Sequence, residues 1–419
     1  MTQTAPALKP LRVTTLVAAS VLACTTLQAA PLKIALVETL SGPASPTGQL
    51  FRSATRYSLD IINASGGWNG EPIQLLEYDN QGGPAGAAEK VKAAIADGAH
   101  MIVQGAASSV AGQITEDVRK HNLRNPGKEI VFLNVGGEAN EFTAEKCHYF
   151  HVRFSPHATL RMKALMGVMR AEKVMGDEVF AINQNYSWGQ DIEKATIEYG
   201  PSMGYKVVDK VLHDLNKVQD FSPYVAKIAA SNADTVVTGN WGNDLLLLMK
   251  AAKSAGLKAR FATTFLDQPG NIGNAGETAL GHYVVHSFNV EAAGAAGEKF
   301  ANDYKAKSGH VPSFVEPHAI NGLRLVGEAL KNTKAEGGNF SARVFIPALL
   351  AAKMQTPLGE TSIRAADHQV LLPMVVSVVS KDAKFKVDGT DMGFKPVKTL
   401  SAAEAAAAVS ASCKMVKPS

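Results

Sequence analysis

The chain has 419 residues, of which 46% are hydrophobic and 19% charged, enough apolar material for a sizeable core and about two domains, so a disordered or fibrous chain is excluded. The formal net charge is +4, and Lys9 and Arg12 supply two of those charges, because residues 1–29 contain no Asp or Glu. A surplus this small is no electrostatic footprint for nucleic acid.

Lys9 and Arg12 precede an apolar run over residues 13–27 that leads into Leu27-Gln28-Ala29-Ala30-Pro31, the pattern of a Sec signal peptide (residues 1–29) cut after Ala29. Cys24, after Val21-Leu22-Ala23, offers a second reading, a lipidated first residue, against which Leu22 stands where a smaller residue is usual. No later apolar run reaches the ~20 residues a spanning helix needs; the nearest covers residues 370–379. The mature chain therefore reads as soluble and periplasmic. Without Cys24, Cys147 and Cys413 form an even pair in an oxidising compartment, either bridged, tying the tail to the body, or two buried thiols.

From residue 32 the hydrophobic period keeps switching between strand and helix. Strands are predicted at residues 32–38, 73–78, 101–105 and 130–135, with helices at 51–63, 85–96 and 110–123 between them. After residues 148–154 the pattern restarts: helices at 159–170, 189–199, 223–230 and 244–255 alternate with strands at 179–183, 205–211, 235–238 and 259–264. Such alternation builds parallel βαβ units, so two doubly wound α/β lobes are expected. Helices then dominate residues 298–353, a β-rich stretch covers 370–380, and an Ala-rich helix is expected at 401–411. That late return of both element types implies more than one crossing between lobes: near Arg153, at residues 283–287, and between Gln355 and Ile363. The first lobe is then 30–153 plus 285–358, the second 154–284 plus 359–395, and 396–419 is a tail tied to the first lobe.

Ligands of open α/β sheets bind beyond the carboxyl ends of the strands. That rule selects Ala106, Ala107, Ser108 and Ser109, then Gly136, Gly137 and Glu138, in the first half, and Asn185, Tyr186, Trp188, Asn240, Trp241 and Asp267 in the second. A serine that starts a helix can hold a carboxylate with its hydroxyl and the free backbone amides; its plainer role is an N-cap. Tyr186, Trp188 and Trp241 suit a wall for a flat or aliphatic solute, or simple packing. Glu138 and Asp267 suit an ammonium group, or are solvated carboxylates.

The stretch Leu32-Lys33-Ile34-Ala35-Leu36-Val37, then Ser41-Gly42-Pro43, Gly48 and Ile62-Asn63-Ala64-Ser65-Gly66-Gly67-Trp68-Asn69-Gly70, resembles the opening of the periplasmic leucine/isoleucine/valine-binding family. Tyr78-Asp79-Asn80 and Gly105-Ala106-Ala107-Ser108-Ser109 continue the likeness, which extends over essentially the whole mature chain. The resemblance implies the type I periplasmic binding protein clamshell, two Rossmann-like lobes on a three-strand hinge that close on a ligand without a cofactor. It implies as partners the membrane permease and ATPase of an ABC importer of the branched-chain amino acid class. By the same resemblance Ser108 and the loop at Gly136 and Glu138 hold the ligand carboxylate, and Trp188 and Trp241 are the second-lobe aromatics. Asp267 falls near the acidic residue that receives the amino group. Thr47 replaces a family aromatic near Gly48, and His318 a late tyrosine. Gly136-Gly137-Glu138 and the aromatic Asn185-Tyr186-Ser187-Trp188 depart from a pocket for valine, which leaves an amino acid, an aromatic or other organic acid, and an amide as solutes.

An enzyme would need a nucleophile, metal set or phosphate loop, and the sequence contains no Gly-x-Ser-x-Gly, no Walker motif and no His-Glu-x-x-His. The eleven histidines are scattered without metal-ligand spacing. A rival reading has the same clamshell present its ligand to a chemoreceptor or histidine kinase.

Overall fold

The structure, a computed structural model, describes residues 1–5, 7 and 31–418; the apolar leader run, the cleavage point at Ala29 and Cys24 lie outside the described residues. The chain runs β1 (Lys33–Glu38), α1 (Ser45–Ala64), β2 (Gln74–Asp79), α2 (Pro84–Ala96), β3 (Met101–Gln104), α3 (Ser108–Arg124), β4 (Val131–Asn134) and β5 (His151–Arg153). It continues through α4 (Ala158–Ala171), β6 (Glu178–Gln184), α5 (Ser187–Met203), β7 (Lys206–His213), α6 (Ser222–Ala230), β8 (Thr235–Thr238), α7 (Gly242–Ser254), β9 (Arg260–Thr263), α8 (Asn271–Ala275) and β10 (Tyr283–His286). Last come α9 (Gly294–Ser308), α10 (Glu316–Lys331), α11 (Ala342–Ala351), β11 (Lys353–Thr356), β12 (Gly359–Arg364), β13 (Gln369–Leu371), β14 (Met374–Ser380), β15 (Gly393–Leu400) and α12 (Ala402–Ala405).

Two sheets result, in the orders β11-β12-β13-β5-β4-β3-β1-β2 and β15-β14-β10-β9-β8-β6-β7. Successive strand residues point to opposite faces, and in the first sheet that alternation fills two cores. Ile34, Leu36, Met101, Val103 and Leu133 turn toward α1 and α10, while Ala35, Val37, Ile102 and Phe132 turn toward α2 and α3. Helices on both faces require such strands to be apolar throughout, which is why β1, β3 and β4 read as short continuous hydrophobic runs.

Three crossings join the lobes. The chain leaves the first sheet after β5 and enters α4, which packs on β9, β10 and β14; it returns after β10 and leaves again between β13 and β14. The third crossing is later than the sequence suggested. Residues 359–371 stay with the first sheet because Gly359 turns back beside Thr356, making β11 and β12 an antiparallel hairpin, and β13 then pairs with both β12 and β5. Residues 396–400, expected in the tail, belong to β15 of the second sheet, antiparallel to β14.

Two helices also differ. α1 begins at Ser45, earlier than predicted, because Pro46 is tolerated in a first helical turn, where its missing N–H is not needed. The Ala-rich helix of the tail stops at Ala405: Lys163 takes the carbonyls of Glu404 and Ala406, Arg364 takes that of Ala407, and the extended chain reaches Cys413. There Cys413 is bridged to Cys147, with Cα atoms 5.6 Å apart and 266 residues between them in sequence.

Candidate solute site

Each sheet reverses its strand order at its first strand, since β1 lies between β2 and β3, and β6 between β7 and β8. Loops diverge at such a point and open a crevice at the carboxyl ends of the strands. The two crevices face each other across one cavity. From the first lobe it is lined by Thr47, Phe51, Ala106, Ala107, Ser108, Gly136 and Glu138; from the second by Tyr186, Trp188, Trp241 and Phe265; and Phe314 and Val315 close it ahead of α10. Side chains of both lobes therefore share one cavity at the carboxyl ends of the two sheets.

On the first-lobe side Ser108 opens α3. Its Oγ accepts from the N–H groups of Glu138 (3.2 Å) and Ala139 (3.1 Å), which ties the β3 and β4 loops together and leaves the hydroxyl proton for a solute. The first N–H groups of α3 have no intrahelical acceptor, so this corner favours an anionic or carbonyl oxygen. Phe51 of α1 covers the loop backbone so closely that a Cβ at Gly105 or Gly136 would fall 2.4 or 2.2 Å from its ring.

Glu138 meets the second lobe. Its carboxylate accepts from Arg161 Nε at 2.5 Å and Nη2 at 2.7 Å, while Arg161 Nη1 donates to the carbonyls of Val285 (2.9 Å) and Thr264 (3.3 Å). The guanidinium also lies 4.7 Å from the centre of the Phe265 ring. Burial pushes the Glu138 carboxyl up from its ordinary value, and the charges of Arg161 and then Arg153 pull it back. The opposite wall is aromatic: Trp241 Nε1 donates to Tyr186 Oη at 2.6 Å, Trp188 Nε1 to the Gly239 carbonyl at 2.8 Å, and Trp188 lies 5.3 Å from Phe265 between ring centres. Burial raises the Tyr186 phenol, which keeps its proton available to a solute acceptor.

Of the residues selected from the sequence, Thr47, Ala106, Ala107, Ser108, Gly136, Glu138, Tyr186, Trp188 and Trp241 therefore line one cavity. Ser109, Gly137, Asn185, Asn240, Asp267 and His318 do not line it. Gly137 turns its loop by donating its N–H to Asn134 Oδ1 (2.6 Å), and Asn240 Nδ2 is spent on His213 Nε2 (2.8 Å). Asp267 faces away to His286, 3.2 Å from its Nδ1, and His286 Nε2 in turn meets Ser377 Oγ at 2.8 Å. His318 Nδ1 lies 3.1 Å from Ser287 Oγ, and burial, with the charge of Arg161, pushes the imidazole down to about 3. Ser109 is half-buried on α3.

Sequence reasoning missed Phe51, Phe265, Phe314, Val315 and the Glu138 partner Arg161. The two glycines at positions 105 and 136 announced a close approach without naming what approaches, and at the end of β9 the charged Asp267 drew attention from its neighbour Phe265. Among the described residues no group of three or more His, Cys, Asp or Glu is placed to hold a metal, and no helix is long and apolar enough to cross a membrane.

Two α/β lobes, a triple crossing and a cavity lined from both sides define a clamshell solute-binding protein. Residues 31–384 match the periplasmic binding protein family, and the chain belongs to it. It is 59% identical over 390 residues, 93% of its length and 94% of the relative's, to "Leu/Ile/Val-binding protein homolog 4" of Brucella abortus. A crystal structure from Brucella ovis, described as the closed conformation of a leucine-, isoleucine-, valine-, threonine- and alanine-binding protein, is similar at a TM-score of 0.89 and 59% identity, covering 93% of this chain and 100% of that one. A solute-binding protein of an R. palustris ABC transporter in complex with 4-hydroxybenzoate shares the fold at a TM-score of 0.75 and 20% identity, covering 89% of this chain and 97% of the other.

Proposed function

We propose that the protein is exported to the periplasm, captures an amino acid, an aromatic or other organic acid, or an amide by lobe closure, and delivers it to the permease and ATPase of an ABC importer. The observation that carries this reading is the composition of the cavity: one hydroxyl at a helix start, one carboxylate and an aromatic wall, contributed by opposite lobes. A solute oxygen fits the Ser108 corner and a flat or branched body fits against Tyr186, Trp188 and Trp241. Glu138 still has lone pairs for an N–H or O–H, but Arg161 already neutralises it, so that donor need not be cationic. A solute touching both lobes stabilises the closed state by its differential affinity, and closure is the signal a transporter reads.

Binding without turnover is the better reading of the same atoms, because Ser108 Oγ is committed to two amides rather than to a base and no histidine is among the described residues that line the cavity. A thermal-shift screen of the mature protein against amino acids, aromatic acids, short organic acids and amides tests the proposal, since a ligand selective for the folded state raises the melting temperature by mass action. A hit confirmed by calorimetry at 1:1 stoichiometry supports it; silence across all four classes, or conversion of the solute, argues against it.

A further inference from the structure

Glu38 ends β1 at the point where the strand order of the first sheet reverses, next to the loop that joins β3 to α3. It is fully buried, and its carboxylate accepts from the N–H groups of Thr39 (2.7 Å), Gly105 (2.7 Å) and Ala106 (3.2 Å). Gln104 grips the same loop through its side-chain amide, which donates to the Ala106 carbonyl. The next residue, Ala107, has φ +70° and ψ 122°, a region that L side chains rarely enter and that persists only where the surroundings over-determine it. Ala107 lines the cavity, and after it comes Ser108, fixed in turn by Glu138 and Ala139.

We propose that Glu38 is a positioning residue of the solute site: its carboxylate anchors Gly105 and Ala106, which holds Ala107 in its left-handed conformation and turns Ser108 and the first turn of α3 to the cavity. The inference rests on the solute-site reading given above. Chemically, an ionised carboxylate offers only lone pairs to a ring of N–H donors, whereas a carboxylic acid presents a donor of its own to the same ring. Burial lifts Glu38 to about 7 against the pull of those three N–H groups, so the fit changes near neutrality. Asp79, its register partner on β2, is raised by burial but held below its ordinary value by hydrogen bonds from Ser41, Gln81 and Leu40, and stays charged there. Phe51 of α1, Asn80 beyond β2, and Gln104, Gly105 and Ala106 of the β3 edge carry no charge, which leaves Glu38 as the group that titrates at this corner.

The test is a double-mutant cycle on the mature, full-length chain with Glu38→Gln and Ala107→Gly, read by melting temperature and by the affinity of two probes, L-leucine and 4-hydroxybenzoate, between pH 6 and 8. Glycine relieves the strain at position 107. In the Glu38 protein, Ala107→Gly should raise the melting temperature; in the Glu38→Gln protein, whose loop has already relaxed, it should raise the melting temperature less. Glu38→Gln alone should weaken the bound probe about tenfold, the loss of one charge-assisted contact, and abolish the weakening that the unmodified protein shows as pH falls through about 7. Unchanged affinity in Glu38→Gln overturns the proposal. If neither probe binds the unmodified protein, those two solutes are wrong for the site, and the melting temperatures decide alone: equal gains from Ala107→Gly in both backgrounds overturn the coupling, unequal gains uphold it.

Discussion

Glu138, in the loop after β4 of the first lobe, is gripped by both Nε and Nη2 of Arg161, on α4 of the second lobe, and both side chains are essentially excluded from solvent, at 3% and 1% exposure. Glu138 lines the cavity and Arg161 lies on α4 just past the first crossing, so one ion pair links the cavity, the start of the second lobe and, through Phe265, the aromatic wall. Attraction between buried charges barely offsets their desolvation, but a lone buried charge is expensive. Arg161→Met, which strands Glu138, is expected to cost about 3–5 kcal/mol of unfolding free energy. The double variant Glu138→Leu/Arg161→Met should recover most of it. Urea unfolding of both proteins checks this, and a double variant as unstable as the single one would mean that the carbonyls of Thr264 and Val285, left without Arg161, dominate instead.

Ser108 has two jobs that one substitution separates. Ser108→Ala removes a donor to the solute and an acceptor for two loop amides. Binding of the solute identified by the thermal-shift screen should weaken by about 1–3 kcal/mol, the range for a hydrogen bond to a charged group. Calorimetry measures that loss directly, with the melting temperature of the solute-free variant recording the loop contribution. Affinity equal to that of the unmodified protein would place the solute's polar end elsewhere in the cavity.

The lobes and much of the cavity lining were legible because both depend on local signals. Apolar runs mark strands, their alternation with amphipathic helices marks βαβ units, and residues just past a strand face the crevice, so Ser108, Glu138, Tyr186, Trp188 and Trp241 follow from position alone. The third crossing was not legible: residues 359–371 look as strand-like as residues 374–380, and only the hairpin register with β11 and the pairing of β13 with β5 assign them to the first sheet. Asp267 was misjudged for a related reason. A carboxylate two residues farther along a turn meets His286 instead of lining the cavity, and a single sequence does not encode which of Phe265 and Asp267 points inward.

The tail is bound to both lobes, through β15 and Lys163 to the second and through Arg364 and the Cys147–Cys413 bridge to the first. Closing so long a loop lowers the entropy of the unfolded chain, by an amount worth about 2–5 kcal/mol. Replacing both cysteines by serine should therefore lower the melting temperature, and reduction of the unmodified protein should lower it to the same value. Calorimetric scans with and without reductant, with thiol content verified by mass spectrometry, make the comparison. A fully reduced protein that melts where the oxidised one does would show that the carbonyl contacts of Lys163 and Arg364 suffice to hold the tail.

Acid should destabilise the protein well before its carboxylates are protonated. Burial pushes His148 and His282 down to about 4 and His318 to about 3, and it also lowers His100, His151, His157 and His368. Against an unfolded value of 6.5 for each, the unfolded chain binds more protons than the folded one between pH 6.5 and about 4, so stability rises with pH across that window and falls as the solution is acidified. Glu38 acts in the opposite sense: raised from 4.5 to about 7, it contributes stability that is present below 4.5 and lost as pH rises through 7; Glu138, Asp191 and Asp244, raised by burial, and His310, raised by its hydrogen bond to Glu316, act in the same direction as Glu38, but the seven lowered histidines outnumber these five groups. The urea midpoint, measured at half-unit steps from pH 7 to 4, is expected to fall steadily, and His148→Gln should make the fall shallower. A midpoint that holds level to pH 4.5 would show that the histidines take up their protons inside the fold without opening it.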